Sequence, residues 1–161
     1  AVISIAGQNF GAKNYDRVRE TYTTSMIFGF VFMTIAGVFI YFTAHFFMSK
    51  FTDNKEVIAA GVYYLQVAAF IGPIYPTFFI TSALFQALKK PIFSLYMTIM
   101  RLTLLPFLSL YYVINIKGGE FQDIFKTILV TNWGMGILVL IFVTFYLRRN
   151  LNIPLRKLFF L

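Results

Sequence analysis

The chain has 161 residues, 59% hydrophobic and 12% charged, with a mean hydropathy of +0.75, whereas a water-soluble domain carries about a quarter charged residues and could not hide this much apolar surface. The absence of cysteine excludes disulfides, thiolate nucleophiles and Cys-based metal sites. The net charge of +8 does not point to nucleic acid, because the basic residues form no face and fall in short clusters at the ends of apolar segments: Lys13, Arg17, Arg19; Lys89, Lys90; Arg148, Arg149, Arg156, Lys157.

Residues 1–6, apolar apart from Ser4, read as the last turns of a preceding crossing, so the chain is expected to be a piece of something larger. Gly7-Gln8-Asn9-Phe10-Gly11-Ala12-Lys13-Asn14 then reads as a polar loop. In it Gly11 supplies a left-handed or tight conformation and Asn14 caps the next helix. Gln8 and Asn9 are expected to satisfy loop backbone rather than a ligand.

Residues 24–47 carry no charge except at His45 and exceed the roughly 20 residues that cross a hydrocarbon core. Ser25, Gly29 and Gly37 share a stripe on this first helix, where small residues let a neighbour approach closely. His45 reads as an interfacial ring. A polar turn precedes the second helix, 57–88, which is broken by Gly72-Pro73 and Pro76. On it Gln66, Pro73, Thr77 and Thr81 recur at helical spacing as a weakly polar stripe. The stripe is either a cavity wall, with carbonyls freed by the prolines, or a packing face with the prolines as simple kinks.

Lys89-Lys90-Pro91 is a turn, and residues 92–114 form the third helix. Arg101 is its one charge, and an ionisable group at that depth must face protein or water. It is either a cavity-side charge or an anchor snorkelling toward the near interface. Ser94, Thr98 and Arg101 lie on one face. The fourth helix, 125–147, carries Thr131 and Asn132 near its start, and Asn132 must face protein or substrate rather than lipid. Residues 148–161 read as a basic tail. The expected architecture is an all-α polytopic membrane bundle over 1–147, with four complete transmembrane helices plus the end of a preceding one. No Ser/His/Asp set or intramembrane carboxylate pair is present, and a lone His builds no metal centre. Neither enzymatic activity, a metal nor a cofactor is expected, and the lipid bilayer is the evident partner.

Short loops force the crossings to alternate sides. One side then holds Lys13, Arg17, Arg19, Lys89, Lys90, Arg148, Arg149, Arg156 and Lys157. The other holds Lys50, Lys55, Lys117 and Lys126, with four of the six acids, Asp53, Glu56, Glu120 and Asp123. The positive-inside bias places the opening run and the C-terminus in the cytoplasm of a cell whose plasma membrane the chain crosses.

Three features in order resemble the C-terminal lobe of the multidrug and toxic compound extrusion transporters. The first is Gly7-Gln8-Asn9-Phe10-Gly11-Ala12 with Asp16-Arg17, similar to that family's loop between helices eight and nine. The second runs from Phe78-Phe79 to Phe85-Gln86-Ala87-Leu88-Lys89-Lys90-Pro91, as at the end of helix ten. The third is Arg101 with Leu105-Pro106, as in helix eleven. The resemblance marks Gln8, Gly11, Ala12, Arg17, Gln86 and Pro91 as structural motif residues. It implies antiport of amphipathic or cationic compounds against Na⁺ or H⁺ by alternating access of two lobes. The residues read above from their own chemistry, Gln66, Pro73, Pro76, Thr77, Thr81, Arg101 and Asn132, are the candidate lining of its cavity. The second helix carries no carboxylate, so the coupling ion is expected to bind in an N-terminal lobe outside this chain. The family has Gly where this chain has Lys89, which suggests a looser turn. A lipid or polysaccharide flippase of the same plan is the alternative carrier, and a non-transporting scaffold subunit is the alternative outside transport.

Overall fold

Charge-free runs separated by capped polar turns fold into helices throughout residues 1–151, the part of the chain that a computed structural model describes. The short α1 (Val2–Gly11) is followed by α2 (Tyr15–Met48), then by α3 (Lys55–Ile71), a 3₁₀ turn (Gly72–Ile74) and α4 (Tyr75–Ala87). Next come α5 (Pro91–Ile99), a π segment (Met100–Leu104), α6 (Leu105–Tyr111), a second π segment (Tyr112–Ile116) and α7 (Phe121–Leu151). Taken as continuous runs, Tyr15–Met48, Lys55–Ala87, Pro91–Ile116 and Phe121–Leu151 are four helices long and apolar enough to cross a membrane. Arg148 and Arg149, expected to begin a tail, extend α7 to Leu151; residues 152–161, with Arg156 and Lys157, lie outside the described residues.

Helix starts follow local chemistry. Asn14 Oδ1 accepts from Arg17 N at 3.4 Å, and Asn54 Oδ1 accepts from Glu56 N at 2.9 Å and Val57 N at 3.4 Å. Asp16 and Glu56 add negative charge to the positive ends of α2 and α3. These caps start both helices outside their apolar cores, so α2 begins at Tyr15 rather than near residue 24.

The expected loop at 7–12 is instead the end of α1. Gly11 is helical, and the left-handed residue is Lys13, with φ 58°. Asn14 N donates to Asn9 O at 2.8 Å and Lys13 N to Phe10 O at 3.0 Å, the paired bonds of a Schellman cap. The Asn9 amide donates to Ile5 O at 2.8 Å, which lets a polar residue sit on the helix. Lys89 repeats the device, with φ 58°, Lys90 N to Phe85 O at 2.8 Å and Lys89 N to Gln86 O at 3.1 Å. The turn expected to be loose for want of glycine is therefore tight, because the two cap bonds hold lysine in the left-handed region.

The second crossing is the hub of the bundle. Pro73 and Pro76 have no N–H, so the helix tightens to 3₁₀ across Gly72–Ile74 and resumes as α4. Neighbours close on the break through residues with little or no side chain. A Cβ on Gly29 would stand 2.8 Å from Pro76 Cβ, and one on Gly37 would stand 2.6 Å from the backbone oxygen of Ala69. From α7, a Cβ on Gly136 would collide with Ile74, and Trp133 Nε1 donates to Phe70 O at 3.0 Å. The small-residue stripe of α2 is thus a contact surface for α3 and α4.

Large apolar side chains point outward, as bilayer solvation requires and water would forbid: Phe28 is 71% exposed, Phe42 78%. The interior is narrow and concentrated at the Lys89 end, where Ala6, Val18, Leu84, Phe85, Val143 and Leu147 are fully buried. Phe85 stacks on Phe93 at 5.3 Å and meets Tyr146 edge-on at 5.0 Å, joining α4, α5 and α7. Nearby, Tyr22 and Thr81 are both buried and their hydroxyls share a hydrogen bond of 3.0 Å, tying α2 to α4.

Two outcomes follow from these contacts. Gly37→Ala forces a methyl against an unyielding carbonyl and lowers the thermal midpoint of the detergent-solubilised chain, at a cost of about 1–3 kcal/mol. Gly134→Ala, where no atom lies within 4 Å of a Cβ, leaves the midpoint unchanged or raises it through helix propensity; equal losses for both would refute the close-approach account. Lys89→Gly relieves the left-handed backbone and stabilises by about 0.5–1 kcal/mol after the extra freedom of glycine in the unfolded chain is offset, read as a rise in the same midpoint.

Candidate functional site

Within the hairpin of α4 and α5, Arg101 projects from the π segment onto the aromatic face of α4. Pro106 has no N–H for Leu102 O, and the preceding turn opens to a wide i→i+5 pattern, with Leu105 N bonded to Met100 O. The guanidinium carbon lies 4.0 Å from the ring centre of Phe78, 4.6 Å from Tyr75 and 5.8 Å from Phe79. A cation over ring faces is attracted by their quadrupoles, more so when it is removed from water. Arg101 is half-buried, and its buried Nε has no hydrogen-bond partner. It stands ten residues beyond Pro91, about 15 Å along a helix, inside the apolar run Pro91–Ile116.

Among the described residues, Arg17 pairs with Glu20 at 3.3 Å and Lys126 with Asp123 at 3.2 Å, both at helix ends. No carboxylate among them pairs with Arg101. Two turns further toward Pro91, Ser94 is buried and hydrogen-bonds Ser82 across the hairpin, while Gln86 Nε2 donates to Ser82 Oγ at 3.2 Å. Thr98 Oγ1 donates to Ser94 O at 2.9 Å. Arg101, the hydroxyl residues and the rings line one cleft of about 420 Å³, a size suited to a small organic molecule.

The other expected cavity residues do not join it. Gln66 lines a cavity of about 710 Å³ near the opposite end, with His45, Lys55, Tyr63 and Gln122. Pro73 borders an apolar cavity of about 280 Å³ with Tyr41, Phe70 and Trp133. Pro76, Thr77 and Thr81 are buried in the packed interior, Thr81 against Tyr22. Asn132 is part-buried and its Nδ2 donates to Ile128 O of its own helix at 2.9 Å, whereas Thr131 Oγ1 reaches Ser109 Oγ on α6 at 3.4 Å. The stripe of Gln66, Pro73, Thr77 and Thr81 assumes one uniform helix. A 3₁₀ turn advances each residue by about 120° instead of 100°, so the residues beyond it face a different neighbour.

The motif residues lie on the surface. Gln8, Gly11, Ala12 and Arg17 are exposed at the α1–α2 junction, where Ala12 N donates to Gln8 O at 3.0 Å and Arg17 pairs with Glu20. Gln86 and Pro91 are exposed around the α4–α5 turn, Pro91 as the first residue of α5. Tyr75, Phe78 and Ser82 are the cleft residues that the helix-by-helix reading passed over. Hairpin symmetry could have found them: Tyr75 and Arg101 are equidistant from Leu88, as are Phe78 and Thr98, and Ser82 and Ser94.

No curated protein and no solved structure matches the chain. The MatE family model matches residues 1–112, from α1 to the first residue of the second π segment and so across the broken crossing and the Arg101 cleft. With that match covering most of the chain and apolar helices running through it, this integral membrane protein belongs to the MatE family of transporters.

Proposed function

We propose that the chain forms part of one lobe of a secondary active antiporter that exports amphipathic or cationic compounds in exchange for Na⁺ or H⁺, working by alternating access rather than by catalysis. The observation that carries this reading is the broken second crossing inside the family-matched region. A helix interrupted by two prolines is a recurrent device of carriers, because the freed backbone and the reduced stiffness allow one bundle to rock against another. Here the break is gripped by Gly29, Gly37, Trp133 and Gly136, so bending at 72–76 transmits to α2 and α7.

In this reading a second lobe supplies the remaining wall of the cavity and the carboxylate that binds the coupling ion, since residues 57–88 contain no Asp or Glu. The basic residues of the Lys13, Lys89 and Arg148 ends favour the cytoplasmic side of the plasma membrane for those ends.

The test is efflux of ethidium from liposomes containing the complete transporter, first under an inward Na⁺ gradient and then under a pH gradient. One gradient is expected to drive efflux and its collapse to abolish it; dye movement indifferent to both gradients would refute coupled antiport. Pro73→Ala combined with Pro76→Ala is expected to slow efflux by about tenfold at unchanged folded yield, as a stiffened moving part should. An unchanged rate would remove the break from the mechanism.

A further inference from the structure

We propose that the cleft between α4 and α5 is a binding site for the anionic group of an amphipathic molecule, a carboxylate, sulfonate or phosphate, held by Arg101 with an aromatic or apolar body against Tyr75 and Phe79. Three independent features converge on this. The guanidinium lies 4.0 Å from the Phe78 ring centre and 4.6 Å from that of Tyr75, so it is held in place by rings that cannot neutralise it. Its buried Nε has no partner, and no described carboxylate pairs with it. The cleft encloses about 420 Å³, lined also by Ser82, Ser94 and Thr98.

A cation in a low-dielectric site without a counter-ion is costly, and the cost falls when an anion arrives. Arginine presents its donors as a planar fork that a carboxylate or phosphate oxygen pair matches in bidentate fashion. Nearer Pro91, Thr98 gives its proton to Ser94 O and one serine of the Ser82–Ser94 pair donates to the other, which leaves the second serine O–H as a donor for an oxyanion. Tyr75 and the exposed ring of Phe79 on the cleft wall also give an aromatic ligand a contact surface, so charge and shape select together. The same field disfavours a bare ammonium. The site goes beyond the transport reading, since it takes anionic or zwitterionic compounds rather than a bare cation. The readout below is binding, so its failure leaves the antiport proposal standing, and failure of dye transport leaves this one standing.

The experiment uses the full chain in phosphatidylcholine nanodiscs and radiolabelled 1-naphthoate as the probe. Saturable binding is expected to weaken by about tenfold or more in Arg101→Met, the loss of a charge-assisted bond, and by less in Arg101→Lys, which keeps the charge but not the fork. Neutral 1-naphthamide should bind wild type and Arg101→Met alike. Unaltered naphthoate binding in Arg101→Met, or an equal loss for the amide, overturns the proposal. Should Arg101→Met not fold, the wild-type chain decides: 1-naphthoate must bind about tenfold more tightly than 1-naphthylmethylammonium, and equal affinity or no saturable binding overturns the assignment. Repeating the titration in phosphatidylglycerol nanodiscs identifies the source of the anion. Weaker naphthoate binding there in wild type alone assigns the site to a lipid headgroup, and no change assigns it to a soluble compound; both support an anion site.

Discussion

Pro73 and Pro76 have no N–H to give, and the bundle is arranged around that deficit. An unbroken helix through the second crossing would carry its side chains in one continuous spiral. The proline pair replaces a piece of that spiral with a 3₁₀ turn, rotating the α4 half relative to α3, and the other helices pack against the two halves separately. Close approach is possible only because Gly29, Gly37 and Gly136 offer bare backbone where the break needs space. Trp133 adds a side-chain donor to the carbonyl of Phe70, in a region where an unbonded carbonyl is expensive.

The interior shows how a lipid-facing bundle divides its labour. Near the Lys89 turn the packing is tight and aromatic, built on Phe85, Phe93 and Tyr146, and the Tyr22–Thr81 hydrogen bond closes it. Beyond that cluster the glycine contacts hold the helices close at the break, and cavities open beside Gln66, Pro73 and Arg101.

Much of this was legible in the residues, for reasons that differ by element. Spans and turns could be read because a charge cannot enter hydrocarbon cheaply, and the break could be read because proline lacks a donor wherever it sits. The α2 glycines showed as a stripe because their spacing follows the helix period. The errors arose where local backbone geometry overrode composition. Gly11 drew attention as the left-handed residue, yet the reversal falls at Lys13, because the Schellman bonds of Asn14 and Lys13 fix its place rather than the preference of glycine. The same bonds make Lys89 tight where its side chain suggested slack.

The candidate site divides along the same line. Sequence by itself determined that the chain is an all-helical membrane bundle, that its second crossing is interrupted and that Arg101 is the one charge of the third apolar run, because these depend on transfer energies and covalent chemistry that belong to each residue. Only the tertiary structure decided that Gln66, Pro73, Thr81 and Asn132 face different surroundings and that Arg101 meets Phe78, Tyr75 and the Ser82–Ser94 pair in one cleft. Which side chains meet depends on the rotation introduced by a 3₁₀ turn and a π segment. That rotation is the balance of hydrogen bonds and packing between helices, which no single residue carries.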